Sequence, residues 1–323
     1  MSIIIFLLKL LRKGYQITFK KIQKQIPEYK NYVQLYDQEA NDYIRNLLLD
    51  NRPCMISKFG SVELNALIQY QSIKQKKYSI KNIYEFITYK RPTLWWQVGI
   101  TNLCKNAGFF PNNSLLLQDF YNINIQAMSN IDVLGSYLYG EYFFRKELEH
   151  AKKVNLNGFY APFFYKNPWT KALKGRKVLV IHPFDSEIQY QYKKREHIWN
   201  DPEILPEFTL ITYKSIVSIL GIQTPYNTWF DALKKMQNDI CQIDFDIAII
   251  GCGAYGMPLA AFVKNIGKQA IHLAGWTQIL FGIMGKRWEE NSEILKYTNK
   301  YWIRPFPQNV PQNSNEIENG CYW

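Results

Sequence analysis

The sequence predicts an α/β fold: a mostly parallel sheet with helices on both faces. Short apolar runs alternate with helical segments through the second half of the 323 residues. A hydrophobic fraction of 47% and a charged fraction of 20% are typical of a globular chain with a sizeable core. The five scattered cysteines contain no CxxC pair, which argues against a disulfide framework and a zinc site and favours a reducing, cytoplasmic setting.

The first 27 residues predict a separate amphipathic helix. They contain six Lys and Arg residues, which contribute to the net charge of +12, and no Asp or Glu. The apolar run 3–8 is too short to cross a bilayer, so we expect a helix that lies in the plane of a membrane surface. The alternative is a helix that docks on the core or on a second subunit. The two predicted faces are Ile4, Leu7, Leu8, Leu11, Tyr15, Phe19 and Ile22 against Lys9, Lys13, Gln16, Lys20 and Lys24.

Residues 28–323 are interpreted as one domain. In its first half we predict a helix that ends before Pro53, a strand over 54–59 and a helix from Ser61 onward. A mostly helical insertion over 79–150, with a short strand at 131–134, and an aromatic connector over 151–175 complete this half. In the second half we predict strands at 178–181, 208–211, 243–250 and 270–273, helices at 186–199, 227–239 and 257–266, and an irregular tail from 289.

The first chemical motif is the run from Ser57 to Leu64, where a strand leads through Gly60 into a helix. Lys58 at the strand end suits a phosphate, and Glu63 in the first helical turn suits a general base or a metal ligand. The alternative is that Glu63 only complements the positive end of the helix.

The second motif is the glycine-rich turn over 251–256, which follows a strand and opens a helix. Such a turn lets the backbone approach a phosphate. A nicotinamide fold normally has an acid at the end of the next strand, and this sequence has none there. A tight, close-packed turn without a ligand is the alternative.

Two further strand ends carry polar groups. His182 and Asp185 follow one strand and suit a base or a phosphate contact, with core packing or helix capping as the alternative. Trp276 and Thr277 follow the last strand, and Lys286 and Arg287 lie beyond them. Trp276 offers a stacking face and the two cations suit a diphosphate, whereas the alternative is an ordinary packed helix with a basic end.

The run around Phe59-Gly60-Ser61-Val62-Glu63 and the late strand–glycine turn–helix resemble the GT-D type of bacterial glycosyltransferase. The chain over 54–323 is also similar to uncharacterised proteins of bacterial surface-polysaccharide clusters. The resemblance implies a Rossmann-like core and a nucleotide-sugar donor, with a UDP-sugar favoured. The implied donor-binding residues are Lys58, Gly60, Ser61, Gly251, Gly253, Ala254, Tyr255, Gly256, Trp276, Thr277, Lys286 and Arg287.

The sequence departs from the family motif at a position associated with the metal. Ser61 stands where the motif has its first acid, so Glu63 alone would remain to hold manganese or magnesium. A hard divalent cation prefers several oxygen anions, so we expect the cationic side chains and the 251–256 backbone to hold the donor instead.

The sequence therefore predicts a glycosyltransferase at the inner face of the cell membrane that acts on a lipid-linked or surface-polysaccharide acceptor. Glu63 is the first candidate for deprotonating the acceptor, followed by Asp185 or His182. The alternatives are an NAD(P)-dependent oxidoreductase and a non-catalytic, membrane-associated scaffold or glycan-binding protein. Nucleic-acid binding is disfavoured because the charge is concentrated on a helix with an apolar face.

Overall fold

A seven-stranded, all-parallel sheet forms the centre of the molecule in a computed structural model that describes residues 3–19, 31–74, 79–90, 99–317 and 319–323. The strand order is β3-β2-β1-β7-β6-β4-β5. This confirms the predicted α/β class. The strands are β1 Cys54–Ser57, β2 Val133–Ser136, β3 Lys152–Asn155, β4 Lys177–His182, β5 Thr209–Lys214, β6 Ile247–Ile250 and β7 Gln269–His272.

Helices cover both faces of the sheet. One core lies under α3, α5, α6, α10 and α11, and the other lies under α2, α7, α8, α9, α12 and α13. Successive strand residues such as Met55 and Ile56 point to opposite cores, as the strand repeat requires. The helices are α1 Ile3–Thr18, α2 Asp37–Leu49, α3 Ser61–Lys74, α4 Ile80–Ile87, α5 Gly99–Ala107, α6 Leu117–Met128, α7 Leu156–Tyr160, α8 Asp185–Tyr192, α9 Arg195–Ile198, α10 Trp229–Ile240, α11 Gly256–Asn265, α12 Trp276–Leu280 and α13 Ser292–Leu295.

Two sequence predictions were wrong in detail. Strand β3 lies inside the predicted connector, and it was missed because Val154 is its only aliphatic residue and it forms the edge of the sheet. The predicted helix 186–199 is two helices, because Lys194 leaves the helical conformation with φ −114° and ψ 18°. Strands β4, β5 and β7 overlap the predicted runs, and β6 begins at Ile247, four residues later than predicted.

Helix α1 packs on α4. Leu8 and Phe86 are buried together, with Ile5 and Ile83 against them, and the Arg12 guanidinium lies 4.4 Å from the centre of the Phe86 ring. The apolar face predicted for this helix is therefore divided. Leu8 is docked on α4, whereas Ile4, Leu7 and Leu11 stay exposed. Ile22, Lys20 and Lys24 lie outside the described residues. Among the described helices, none is both long and apolar enough to cross a bilayer.

The four central strands open a crevice at their carboxyl ends. After β1 and β6 the chain continues into α3 and α11 on one face, and after β4 and β7 into α8 and α12 on the other. Because these strands are neighbours in the order β1-β7-β6-β4, the chain leaves alternately to the two sides. A gap therefore forms above the strand ends, where ligands of parallel sheets bind.

Candidate functional site

A cavity of about 300 Å³ occupies this crevice. Residues from the ends of β1, β2, β4, β6 and β7 line it, together with the segment after β5 and the last residues of the chain. The sequence-predicted residues that line it are Lys58, Gly60, Ser61, Glu63, His182, Gly251, Gly253, Tyr255, Trp276 and Arg287.

Lys58, Glu63, Tyr137 and Arg287 form what we call the charged end of the cavity. The Lys58 side chain is buried, and its Nζ donates to the carbonyl oxygen of Phe59 at 3.3 Å. The same ammonium lies 5.2 Å from the centre of the Tyr137 ring. Burial lowers the pKa of Lys58 to about 8, and the neighbouring Glu63 raises it in part. A cation is thus held in a low-dielectric site, where its attraction to an anion is strong.

Glu63 is the third residue of α3, and its carboxylate folds back over the turn before the helix. The Glu63 carboxylate occupies the space that a Cβ at Gly60 would need, so a larger residue there would displace this carboxylate. The arrangement is the one expected for a carboxylate that complements the helix N-terminus, and Glu63 nevertheless lines the cavity. Glu63 thus complements the N-terminus of α3 and faces the cavity at the same time.

The charged end does not fit a divalent cation. Glu63 is the only carboxylate among the described residues that line the cavity, and Lys58 and Arg287 are its neighbours there. Within the described ranges no group of three His, Cys, Asp or Glu residues is suited to a metal ion. Manganese or magnesium would meet too few oxygen anions and two cations.

Tyr137 and Glu141 follow β2 and were missed from the sequence. Tyr137 Oη donates to the carbonyl oxygen of Phe59 at 2.9 Å, and burial raises the pKa of the phenol. The buried Glu141 carboxylate accepts from Ser136 Oγ and from the backbone N–H groups of Tyr137 and Leu138. Burial raises the pKa of Glu141 to about 7. A carboxylate seven residues beyond the strand predicted at 131–134 was the available signal.

His182 is held as a neutral hydrogen-bond donor. Its Nδ1 accepts the backbone N–H of Phe184 at 3.0 Å, so the proton of the neutral ring is on Nε2. Burial lowers the pKa of His182 to about 3. A ring in this state donates through Nε2, which suits the predicted phosphate contact, and the role as a base stays a prediction. His272, which sequence reasoning did not single out, also lines the cavity, with its Nδ1 3.0 Å from Ser57 Oγ.

The glycines of the 251–256 turn are required by close packing. A Cβ at Gly256 would lie 2.2 Å from His272 Nε2, and one at Gly251 would lie 2.5 Å from the carbonyl oxygen of Ala274. Gly253 has φ 59° and would meet the carbonyl oxygen of Ala107 at 2.9 Å. The same packing brings backbone of this turn to the cavity wall at Gly251 and Gly253.

Residues 106–108 and 215–219 form what we call the neutral end, and they carry no ionisable side chain. Ser218 Oγ donates to the carbonyl oxygen of Gly108 at 2.6 Å and lies 3.0 Å from Tyr255 Oη, which ties the two segments to the glycine turn. Ser215 Oγ is buried and has no hydrogen-bond partner among the described residues. A buried hydroxyl at a cavity wall is a ready contact for a polar ligand group.

The last residues of the chain close one side of the cavity. Tyr322 and Trp323 line it, and the Tyr322 carbonyl oxygen accepts from Gln278 Nε2 at 3.0 Å. The Arg287 guanidinium lies 4.8 Å from the centre of the Tyr322 ring. No sequence pattern signals this contribution, because the tail has neither a strand nor a helix periodicity to place it.

Five predicted site residues lie outside the cavity lining, namely Asp185, Ala254, Gly256, Thr277 and Lys286. Asp185 begins α8, with Oδ1 4.0 Å from Lys214 Nζ. Lys286 is exposed, and its backbone N–H donates to the carbonyl oxygen of Trp323. Ala254, Gly256 and Thr277 are buried in the core beneath the turn. Trp276 lines the cavity, and the Tyr160 ring covers one of its faces at 3.8 Å.

Comparison of the chain with protein-family models, with curated proteins and with solved structures found no match. The arguments for function therefore rest on the fold and on the geometry of the cavity.

Proposed function

We propose that the protein transfers a sugar from a nucleotide-sugar donor to a lipid-linked or surface-polysaccharide acceptor. The observation that supports this most is the charged end, where Lys58 and Arg287 accompany the carboxylate of Glu63 in one crevice at the carboxyl ends of parallel strands. A leaving diphosphate needs cations, and an acceptor hydroxyl needs a base. The charged end offers both.

The two ends of the cavity support a ligand with two chemically different parts. Four strand spacings separate β1 from β5, on the order of 20 Å, so an extended molecule is accommodated. The diphosphate would lie at Lys58 and Arg287, with the His182 Nε2–H as a further donor. The nucleoside would extend toward the neutral end, where Ser215 Oγ offers a hydrogen bond. A UDP-sugar is the donor that we test first.

In the proposed reaction the acceptor oxygen forms a bond to the anomeric carbon, and the bond from that carbon to the diphosphate oxygen breaks. Glu63 takes the acceptor proton, and the two cations neutralise the charge that develops on the diphosphate. No step requires a metal, in keeping with a lining that does not suit one.

A binding panel tests the proposal. The purified protein is combined with UDP-, GDP-, CDP- and dTDP-sugars and with NAD(P)H, each with and without manganese, and its thermal midpoint is measured. We expect one sugar-nucleotide class to raise the midpoint equally with and without manganese, because ligand binding stabilises the native state. A rise with NAD(P)H alone would instead favour the oxidoreductase. No rise together with no sugar transfer to an added glycan acceptor would favour the non-catalytic scaffold.

The Glu63→Gln variant tests the base. We expect the transfer rate to fall by about 100-fold or more, since a general base contributes about 10²–10⁴-fold. The matched control is Glu39→Gln, because Glu39 is likewise the third residue of a helix but is exposed and does not line the cavity. Both variants lose a similar helix-end interaction, so only Glu63→Gln should lose activity. Full activity in a folded Glu63→Gln variant would refute the assignment.

A further inference from the structure

Helix α1 has one docked side and one uncovered apolar side. Leu8 is 6% exposed against Phe86, and the Arg12 guanidinium lies over the rings of Phe86 and Tyr89. The uncovered side, which we call the lipid face, consists of large apolar side chains that are 50% to 78% exposed. They are Ile3, Ile4, Phe6, Leu7, Leu10, Leu11 and Ile17.

The lipid face is one sector of the helix, which also contains Gly14 and Thr18. At about 100° per residue its seven side chains occupy roughly 160° of the circumference, opposite Leu8 and Arg12. Lys9 and Lys13 lie at one border of this sector, between it and the docked side. A patch of this kind on a single helix is larger than scattered surface leucines would produce, and it marks an interaction site.

We propose that the lipid face binds the surface of an anionic bilayer, with α1 lying in the membrane plane. The apolar side chains would enter the acyl boundary, and Lys9 and Lys13 would extend to the headgroups at its edge. The proposed surface is the inner face of the cytoplasmic membrane, whose leaflet is anionic. This inference goes beyond the transferase activity and does not depend on it.

Charge favours a bilayer over a second copy of the chain. Residues 1–27 carry six cations and no acid. Two α1 helices packed through their lipid faces would bring lysines of the same sign together, and the first 27 residues of neither copy contain an Asp or a Glu. An anionic lipid surface supplies the opposite charge along the whole border.

Sedimentation of the full-length protein with vesicles tests the proposal. We expect binding to vesicles of phosphatidylcholine with about one-third phosphatidylglycerol, and weaker binding to phosphatidylcholine alone. The Leu7→Ser/Leu11→Ser variant should bind the anionic vesicles at least tenfold more weakly, because two leucines that would be buried in the bilayer are lost. The matched control is Leu49→Ser/Leu115→Ser, which removes two leucines outside α1 that are at least as exposed and should bind as the wild type does.

Two results would overturn the proposal. The first is equal vesicle binding by the Leu7→Ser/Leu11→Ser variant and the wild type. The second is a wild-type dimer in solution, measured by light scattering, that the Leu7→Ser/Leu11→Ser variant converts to a monomer without any vesicle binding by the wild type. Far-UV circular dichroism and the thermal midpoint establish that the variant is folded. Because the readout is binding, failure of the transferase proposal leaves this test intact.

Discussion

The charged end and the neutral end of the cavity differ in where their binding groups come from. The charged end uses side chains, since Lys58 and Glu63 flank the β1–α3 turn and Arg287 comes from the segment after α12. The neutral end uses packed backbone and hydroxyl groups, with residues 106–108 tied to 215–219 through Ser218. Under the proposed function, this division suits one end to charge stabilisation in the transition state and the other to ground-state recognition.

The strongest test of this division is the Lys58→Met variant. Methionine is of similar length but uncharged, so the diphosphate loses a buried cation, and we expect kcat/KM to fall by about 100- to 1000-fold. Folding should survive, because Glu63, the carboxylate that loses a neighbouring cation, is only partly buried and keeps Arg287 beside it. Steady-state transfer kinetics and the thermal midpoint measure both effects.

The matched control is Lys286→Met, which removes an exposed lysine outside the cavity lining and should keep full activity. The pH profile of the wild type adds a second check. Because burial lowers the pKa of Lys58 to about 8, transfer should decline as the pH rises through that value. A wild-type rate that stays constant from pH 7 to pH 9.5 would contradict a role for the Lys58 charge.

The sequence predicted much of the charged end and little of the neutral end. Lys58 and Glu63 stand beside a strand–glycine–helix pattern, and such local patterns can be interpreted without knowing the fold. Ser215 follows a predicted strand but belongs to a loop with no motif, and Asn106 ends a helix in another part of the chain. Ser215 and Asn106 come together only because of the order of the strands in the sheet, and hydrophobic periodicity does not predict that order.

The same limit explains the corrections at single residues. Lys286 and Arg287 are adjacent in sequence, yet only Arg287 lines the cavity, because the turn at 286–288 directs the two side chains differently. His182 stands at a strand end as predicted. Its role as a donor follows from the Phe184 N–H, whose direction is set by backbone angles that the sequence leaves open.

Glu141, which lies behind the charged end near Lys58, provides a test of stability. Its pKa is raised from 4.5 to about 7, so the folded state retains a proton that the unfolded state releases between these values. The residue therefore contributes stability below pH 4.5 that is lost as the pH rises to 7, of order 1–3 kcal/mol. As the pH rises from 4.5 to 7, the free energy of unfolding in urea of the Glu141→Gln variant should therefore fall less, or rise more, than that of the wild type.

The exposed Glu149 gives the control for this measurement, since Glu149→Gln should follow the wild-type pH dependence. Parallel curves for the wild type and Glu141→Gln would mean that Glu141 titrates alike in the folded and unfolded states. The charged end would then hold an ionised carboxylate behind Lys58, and the cation there would be more strongly neutralised than the burial of Glu141 indicates.

The smallest expected effect lies at the neutral end, in the Ser215→Ala variant. Ser215 Oγ has no partner among the described residues, so its removal should not lower the thermal midpoint. If it bonds the nucleoside, KM for the donor should rise about fivefold, equivalent to about 1 kcal/mol, with kcat unchanged. Ser129→Ala, whose exposed hydroxyl bonds its own helix, is the control. A fall in kcat at constant KM would place the reacting bond, rather than the nucleoside, beside Ser215, and the assignment of the two ends would have to be reversed.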